Sequence, residues 1–264
     1  MSATEQALPL KVYWQPGCSS CLRTKEFLTK HGAAFVSVNV MADEQGFAEL
    51  ARLGLRQVPI VARGDDWVNG QVIQDVARIA GIKLGAQKML SPAELSVRIA
   101  TMLGAAGRGL AQLPEVKLDT MLPNRPQSYR QLACHVFQII EAFLDLVENG
   151  KRLEFAAYVQ DLPPHVHDRA ELVAFGAGIA VRYAAWWEES GAASDWPARA
   201  DVYYGEQTMH EFLERTTWHA AHHTRQVQML VTTFGLAVDG PLTEADLAGL
   251  PVPTSVWDDK IVFN

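Results

Sequence analysis

The feature that most constrains the fold of this chain is a change of pattern close to residue 90. Before that point, short apolar runs alternate with helical segments in the predicted order β-α-β-α-β-β-α. From Ser91 onward the periodicity is helical and we find no convincing strand. A chain of 264 residues is long enough for two domains. The pattern therefore predicts an α/β domain followed by a separate all-α domain.

Four long amphipathic segments make up the second part. Two of them begin at capping boxes, which run from Ser91 to Glu94 and from Ser128 to Gln131. The third segment is predicted over about 169–189 and the fourth over about 206–234. Four segments of this kind suggest an antiparallel four-helix bundle.

Two of the three cysteines form one CxxC motif, Cys18-Ser19-Ser20-Cys21, between the first strand and the first helix. The N–H groups and dipole of a helix start lower the pKa of a thiol such as Cys18. Cys21, one turn later, can resolve a mixed disulfide. The alternatives are a zinc half-site or two inert core thiols, but a zinc site needs further ligands and this region offers only His31. The context favours a redox-active dithiol.

Residues 10–82 resemble a glutaredoxin of the thioredoxin superfamily. The matching residues are Tyr13, Cys18, Cys21, Arg56, Val58, Pro59 and Gly70. The resemblance implies a thioredoxin-like fold, a cis-proline at Pro59 facing the dithiol, and pairing of the Val58 backbone with a bound thiol such as glutathione. The chain departs from the usual pattern at Ser19, where glutaredoxins commonly carry a proline, and at Gln15, where they commonly carry a lysine.

Three histidines form a second candidate site. His219 and His223 lie four residues apart on the predicted last helix and project from one face, which is apolar. His135 lies on the apolar face of the second helix. An unpaired buried polar group costs about 1–3 kcal/mol, so three inward imidazoles need partners. A backbone carbonyl could satisfy each one, but the pattern favours a divalent metal held by all three, with an open position left for water or substrate.

The region from about residue 93 to 250 resembles the DinB superfamily, which includes metal-dependent thiol transferases and maleylpyruvate isomerase-like enzymes. The matching residues are His135 and the run His219-Ala220-Ala221-His222-His223-Thr224-Arg225-Gln226. The resemblance implies that His135, His219 and His223 bind the metal and that a low-molecular-weight thiol is the cosubstrate. Zinc, nickel, iron and manganese are not distinguished.

Helical geometry predicts lesser roles for three neighbouring residues. His222 lies about a quarter-turn off the ligand face, so we expect it to support a ligand or to lie at the surface. Gln226, one turn beyond His223, is placed to touch a bound water. Cys134 points about 100° away from its neighbour His135 and is expected to be a buried structural thiol.

These patterns predict a glutaredoxin-like domain over residues 1–85, a linker over 86–92, a bundle over 93–250 and a tail over 251–264. The predicted function is a metal- and thiol-dependent transferase or isomerase acting on an unknown small molecule. Its glutaredoxin domain would exchange thiols and disulfides with the substrate or product. A metal-binding redox sensor without turnover and a plain disulfide reductase with a structural bundle are the alternatives.

Charge and cysteine content indicate the environment. The net charge of −7 argues against nucleic acid or an anionic membrane as a partner. The three cysteines are too few for a secreted disulfide framework, and the stretch from Met1 to Leu10 does not read as a signal peptide. We therefore expect a cytoplasmic protein, and the sequence leaves a homodimer open.

Overall fold

The computed structural model describes residues 8–85, 88–159 and 161–258, and the chain divides into two compact units between Gln87 and Lys88. Residues 86–87 of the predicted linker lie outside the described ranges. Ser91 and Pro92, assigned to the same linker, form the N-cap and the first residue of the first long helix of the second unit.

The described part of the N-terminal unit is a mixed four-stranded sheet with three helices. Its elements are β1 (Leu10–Trp14), α1 (Ser19–Lys30), β2 (Val36–Asn39), α2 (Glu44–Arg52), β3 (Ile60–Arg63), β4 (Asp66–Asn69) and α3 (Ile73–Ala80). The strand order is β2-β1-β3-β4, with β1 parallel to β2 and antiparallel to β3, and β3 antiparallel to β4. The predicted order of strands and helices is confirmed.

The central strand β1 has an apolar cluster on each face of the sheet. Adjacent side chains of a strand point to opposite faces. Val12 therefore packs with Leu28 and Val76 on one side, while Tyr13 packs with Leu50 on the other. The two clusters hold α1 and α3 on one face and α2 on the opposite face.

The C-terminal unit is helical. In its described residues, four long helices each begin with a capping box: α4 (Pro92–Gln112), α5 (Tyr129–Asn149), α6 (Arg169–Glu189) and α7 (Met209–Thr233), followed by the short α8 (Glu244–Leu247). Both α4 and α5 pack against α6 and against α7. Within the described ranges, no helix combines the length and the apolar character needed to cross a bilayer.

The expectation that no strand follows Ser91 is wrong in one place. Two strands of two residues each, β5 (Arg199–Ala200) and β6 (Gln207–Thr208), pair in antiparallel orientation just before α7. Thr208 is also the N-cap of α7, so this helix begins at Met209 and not near residue 206. Segments of two residues are too short to show an alternating apolar pattern, which explains why they were missed.

Candidate functional site

The dithiol lies at the start of α1. Cys18 is the N-cap residue, and its Sγ accepts a hydrogen bond from the backbone N–H of Cys21 at 3.2 Å. The two cysteines form a disulfide, with Cα atoms 5.2 Å apart. Cys18 is partly exposed, whereas Cys21 is completely buried. Cys18 is therefore the sulfur that a substrate can reach first.

The loop that carries Pro59 is joined to the dithiol helix through Gly70. The peptide bond between Val58 and Pro59 is cis, as the resemblance implied. The N–H of Gly70 donates to the Pro59 carbonyl at 2.9 Å, and the Gly70 carbonyl accepts from Thr24 Oγ1 of α1 at 2.7 Å. A Cβ at position 70 would lie 2.8 Å from Pro59 Cβ and 3.1 Å from Thr24 Oγ1, so this position requires glycine.

The structure brings the three predicted histidines together from two helices. His135 on α5 and His219 and His223 on α7 are all buried, and one ring nitrogen of each lies within 4.8 Å of the other two. The Nε2 atoms of His219 and His223 are 3.2 Å apart. Zinc–nitrogen bonds of about 2.0–2.1 Å place two ligands of a tetrahedral site about 3.3 Å apart. The donor set and its spacing therefore fit a divalent ion.

The electrostatic state of the histidines also suits a metal. Burial lowers the pKa of His135 and His219 well below the ordinary value, and burial lowers the pKa of His223 to about 3. All three are therefore neutral near pH 7, which is the form that binds metals. The buried Nδ1 of His219 has no hydrogen-bond partner among the described residues.

The surroundings of His223 differ from the expectation. His222 is fully buried, so the predicted alternative of a surface position is wrong. Its Nε2 contacts the side-chain nitrogen of Gln226 at 3.2 Å. The side-chain oxygen of Gln226 in turn lies 2.7 Å from His223 Nδ1. The side-chain amide of Gln226 thus links His222 to the candidate ligand His223.

An arginine and two tyrosines that the sequence analysis did not single out lie beside this site. The buried Arg215, one turn before His219 on α7, donates to the hydroxyl of Tyr158 at 2.9 Å. Its guanidinium also lies over the rings of Tyr158 and Tyr204, with distances of 4.9 and 4.6 Å to their centroids. The Tyr158 ring packs at 5.4 Å from the ring of His219 and 6.0 Å from that of His135. The four-residue spacing between Arg215 and His219 was the sequence signal that could have placed Arg215 on the same helix face as the histidines.

A second arginine is also close. The positive charge of Arg125 contributes to lowering the pKa of His135 and His223, and burial lowers its own pKa to about 10. The charges of two arginines, Arg125 and Arg215, therefore act on the histidine cluster. Cys134 is buried as expected, and burial raises the pKa of its thiol to about 12, so it is not a reactive group.

The comparisons with known proteins concern the N-terminal unit. Residues 10–73 match the family model for glutaredoxin. The N-terminal unit thus has a thioredoxin-like fold and a dithiol suited to thiol–disulfide exchange. No curated protein matches the chain. The histidine cluster lies outside the matched residues.

Proposed function

We propose that the chain is a metal- and thiol-dependent transferase or isomerase built on a four-helix bundle of the DinB type. Its glutaredoxin domain exchanges thiols and disulfides with the substrate or product of the metal site. The observation that carries the proposal is the convergence of His135, His219 and His223, buried and neutral, with two of their nitrogens 3.2 Å apart. These three residues would hold the ion, and three protein ligands leave an open coordination position.

The charges around the cluster favour an anionic occupant of that position. Three neutral imidazoles leave a bound divalent ion with its full charge, and the buried Arg215 adds further positive charge nearby. A low-molecular-weight thiol bound as its thiolate offsets this charge, whereas a neutral ligand does not. When bound, the ion would deprotonate a coordinating thiol and polarise a substrate carbonyl. Glutathione or a similar thiol is therefore the proposed cosubstrate.

The dithiol would complete the reaction by reducing a mixed disulfide between the cosubstrate thiol and a product thiol, a disulfide whose oxidation level is supplied by the substrate. The Cys18 thiolate attacks one sulfur of that disulfide, the other sulfur leaves as a thiol, and a mixed disulfide with Cys18 remains. The Cys21 thiolate then attacks Cys18, which releases the second thiol and forms the Cys18–Cys21 disulfide. Two further equivalents of the small thiol reduce the Cys18–Cys21 disulfide, and these two thiols leave joined to each other as a disulfide.

A turnover assay on the full chain tests the proposal. We expect activity with a small thiol and a divalent metal, loss of activity in His219→Ala, and a single turnover in Cys18→Ser. An excess of a small dithiol reductant should restore repeated turnover in Cys18→Ser, because this variant retains the metal site. Undiminished repeated turnover of Cys18→Ser without added reductant would contradict the coupling.

The same assay separates the alternatives. A redox sensor would show no turnover with any thiol, and a plain disulfide reductase would keep its full activity after removal of the metal. Either result would reject the proposed function.

A further inference from the structure

The side-chain amide of Gln226 is bonded at both ends inside the helical unit. This residue of α7 is completely buried. Its Nε2 donates to the backbone carbonyl of Val256 at 3.1 Å, and its Oε1 lies 2.7 Å from His223 Nδ1. The same Nε2 contacts His222 Nε2 at 3.2 Å.

These contacts determine where the hydrogen of His223 lies. A backbone carbonyl can only accept, so the Gln226 atom that bonds to Val256 is the amide nitrogen. The other amide atom of Gln226, Oε1, is an oxygen and can only accept. The hydrogen shared between Oε1 and His223 must therefore be carried by His223 Nδ1. A neutral imidazole carries one hydrogen, which leaves a lone pair on His223 Nε2. That atom is the one that faces His219.

The Val256 carbonyl makes the reverse orientation of the amide unfavourable. In the assigned orientation, the second hydrogen of the Gln226 amide nitrogen is donated to His222 Nε2, so the hydrogen of His222 lies on Nδ1. A flipped amide would place an oxygen against the Val256 carbonyl and would lose that hydrogen bond. Val256 therefore holds the orientation on which the His223 tautomer depends, and the tautomer of His222 follows from it.

The chain segment that supplies the Val256 carbonyl is fixed to the same helix by the neighbouring residue. Arg225 donates to the carbonyls of Pro253 and Thr254 at 2.6 and 2.8 Å. Residues 253–256 fall in the region that the sequence analysis treated as a tail. Consecutive residues of α7, Arg225 and Gln226, thus bind this segment next to the histidine cluster.

We infer that Gln226 is a positioning residue that holds His223 in the tautomer with a lone pair on Nε2, and that residues 253–256 are part of the same site because they hold Gln226. The benefit to metal binding rests on the proposed function. Outer hydrogen-bond partners of metal-binding histidines fix the tautomer and ring orientation, and losing one weakens metal binding by about 10–100-fold.

The test uses the full chain with ¹⁵N-labelled histidine, freed of metal by a chelator, and reads each tautomer by NMR. In the wild type, the hydrogen of His223 should be on Nδ1. Gln226→Leu should shift it partly or wholly to Nε2 and should weaken Zn²⁺ binding by about 10–100-fold in a competition titration. The matched control is Gln228→Leu, since Gln228 is a buried glutamine of α7 whose side-chain oxygen accepts from the Leu242 N–H. Gln228→Leu should change neither the tautomer of His223 nor the affinity for Zn²⁺.

A wild-type His223 with its hydrogen on Nε2, or an unchanged tautomer in Gln226→Leu, would overturn the inference. If Gln226→Leu does not fold, Gln226→Glu provides the test. Its carboxylate still accepts from His223 Nδ1 but has no hydrogen for His222, so the hydrogen of His222 should move to Nε2. An unchanged His222 would reject the assigned amide orientation. If the wild type binds no Zn²⁺, the proposed function fails, while the tautomers still decide the role of Gln226.

Discussion

The Nε2 atoms of His219 and His223 lie 3.2 Å apart, one turn apart on α7, with both side chains buried. Because the Gln226 carbonyl oxygen accepts from His223 Nδ1, only the hydrogen of His219 can lie between the two Nε2 atoms. A divalent ion in this position would displace that hydrogen to Nδ1 of His219. Metal binding would therefore be coupled to a tautomer change in a single histidine.

The histidine cluster predicts which substitutions remove metal. His135→Ala, His219→Ala and His223→Ala should each lower the metal content of the purified protein sharply, because each removes one ligand of a three-ligand site. His222→Ala should lower it much less, since His222 bonds to the Gln226 amide and does not belong to the three-histidine cluster. The exposed His165 supplies the control, and His165→Ala should leave the content unchanged. Equal loss in all four cluster variants would contradict the assigned ligands.

The dithiol predicts an order of thiol reactivity. After reduction, iodoacetamide at mildly acidic pH should label Cys18 first, because it is partly exposed at the N-terminus of α1. Cys134 should stay unlabelled until the protein unfolds, since burial raises its pKa to about 12. Peptide mass spectrometry measures both. Earlier labelling of Cys21 or Cys134 would reverse the assignment.

Gly70 should be essential for the geometry of the dithiol site. Gly70→Ala places a Cβ 2.8 Å from Pro59 Cβ and should lower both the melting temperature and the rate of thiol–disulfide exchange. Gly85→Ala is the matched control, because a Cβ at that position meets no atom within 4 Å. A Gly70→Ala protein with wild-type exchange kinetics would show that the link between Pro59 and α1 does not matter for the chemistry.

The buried histidines predict a loss of stability in acid. Their pKa values are lowered by burial in the folded protein, so below about pH 6.5 the unfolded chain binds protons that the folded chain does not. The free energy of unfolding should therefore be fully present above about pH 6.5 and fall as the pH drops. Each histidine contributes up to about 1.4 kcal/mol per pH unit until its folded pKa is reached, which is about 3 for His223.

Urea unfolding of the metal-free protein between about pH 7 and about pH 4.5 measures this slope. His222→Gln should make the pH dependence shallower, because it removes one of these buried histidines. A free energy of unfolding that does not change over this range would mean that the histidines are not buried in their neutral form.

Local signals in the sequence predicted most of the fold. The capping boxes at Ser91 and Ser128 placed the starts of α4 and α5, and the apolar periodicity placed His135, His219 and His223 on inward faces. These features depend on neighbours three or four residues away, which a sequence displays directly.

Contacts between distant segments account for what was missed. The bond from Gln226 to Val256 depends on a C-terminal segment whose path no periodicity reveals. The same holds for Tyr158, which reaches Arg215 from a short 3-10 helix, Phe155–Tyr158, 57 residues earlier in the chain. Pairs of this kind leave no regular spacing, so sequence reasoning alone could not have found them.

The most direct test of metal- and thiol-dependent chemistry is X-ray absorption at the metal edge, with and without reduced glutathione or a similar thiol. The protein should carry Cys18→Ser and Cys21→Ser, which leaves the buried Cys134 as its remaining cysteine. A sulfur ligand from Cys134 would already be visible in the sample without thiol, so a sulfur that appears after the addition comes from the added thiol. We predict nitrogen and oxygen ligands without sulfur before addition, and a new sulfur at about 2.3 Å from zinc after it. A metal environment that no small thiol changes would contradict the proposed function.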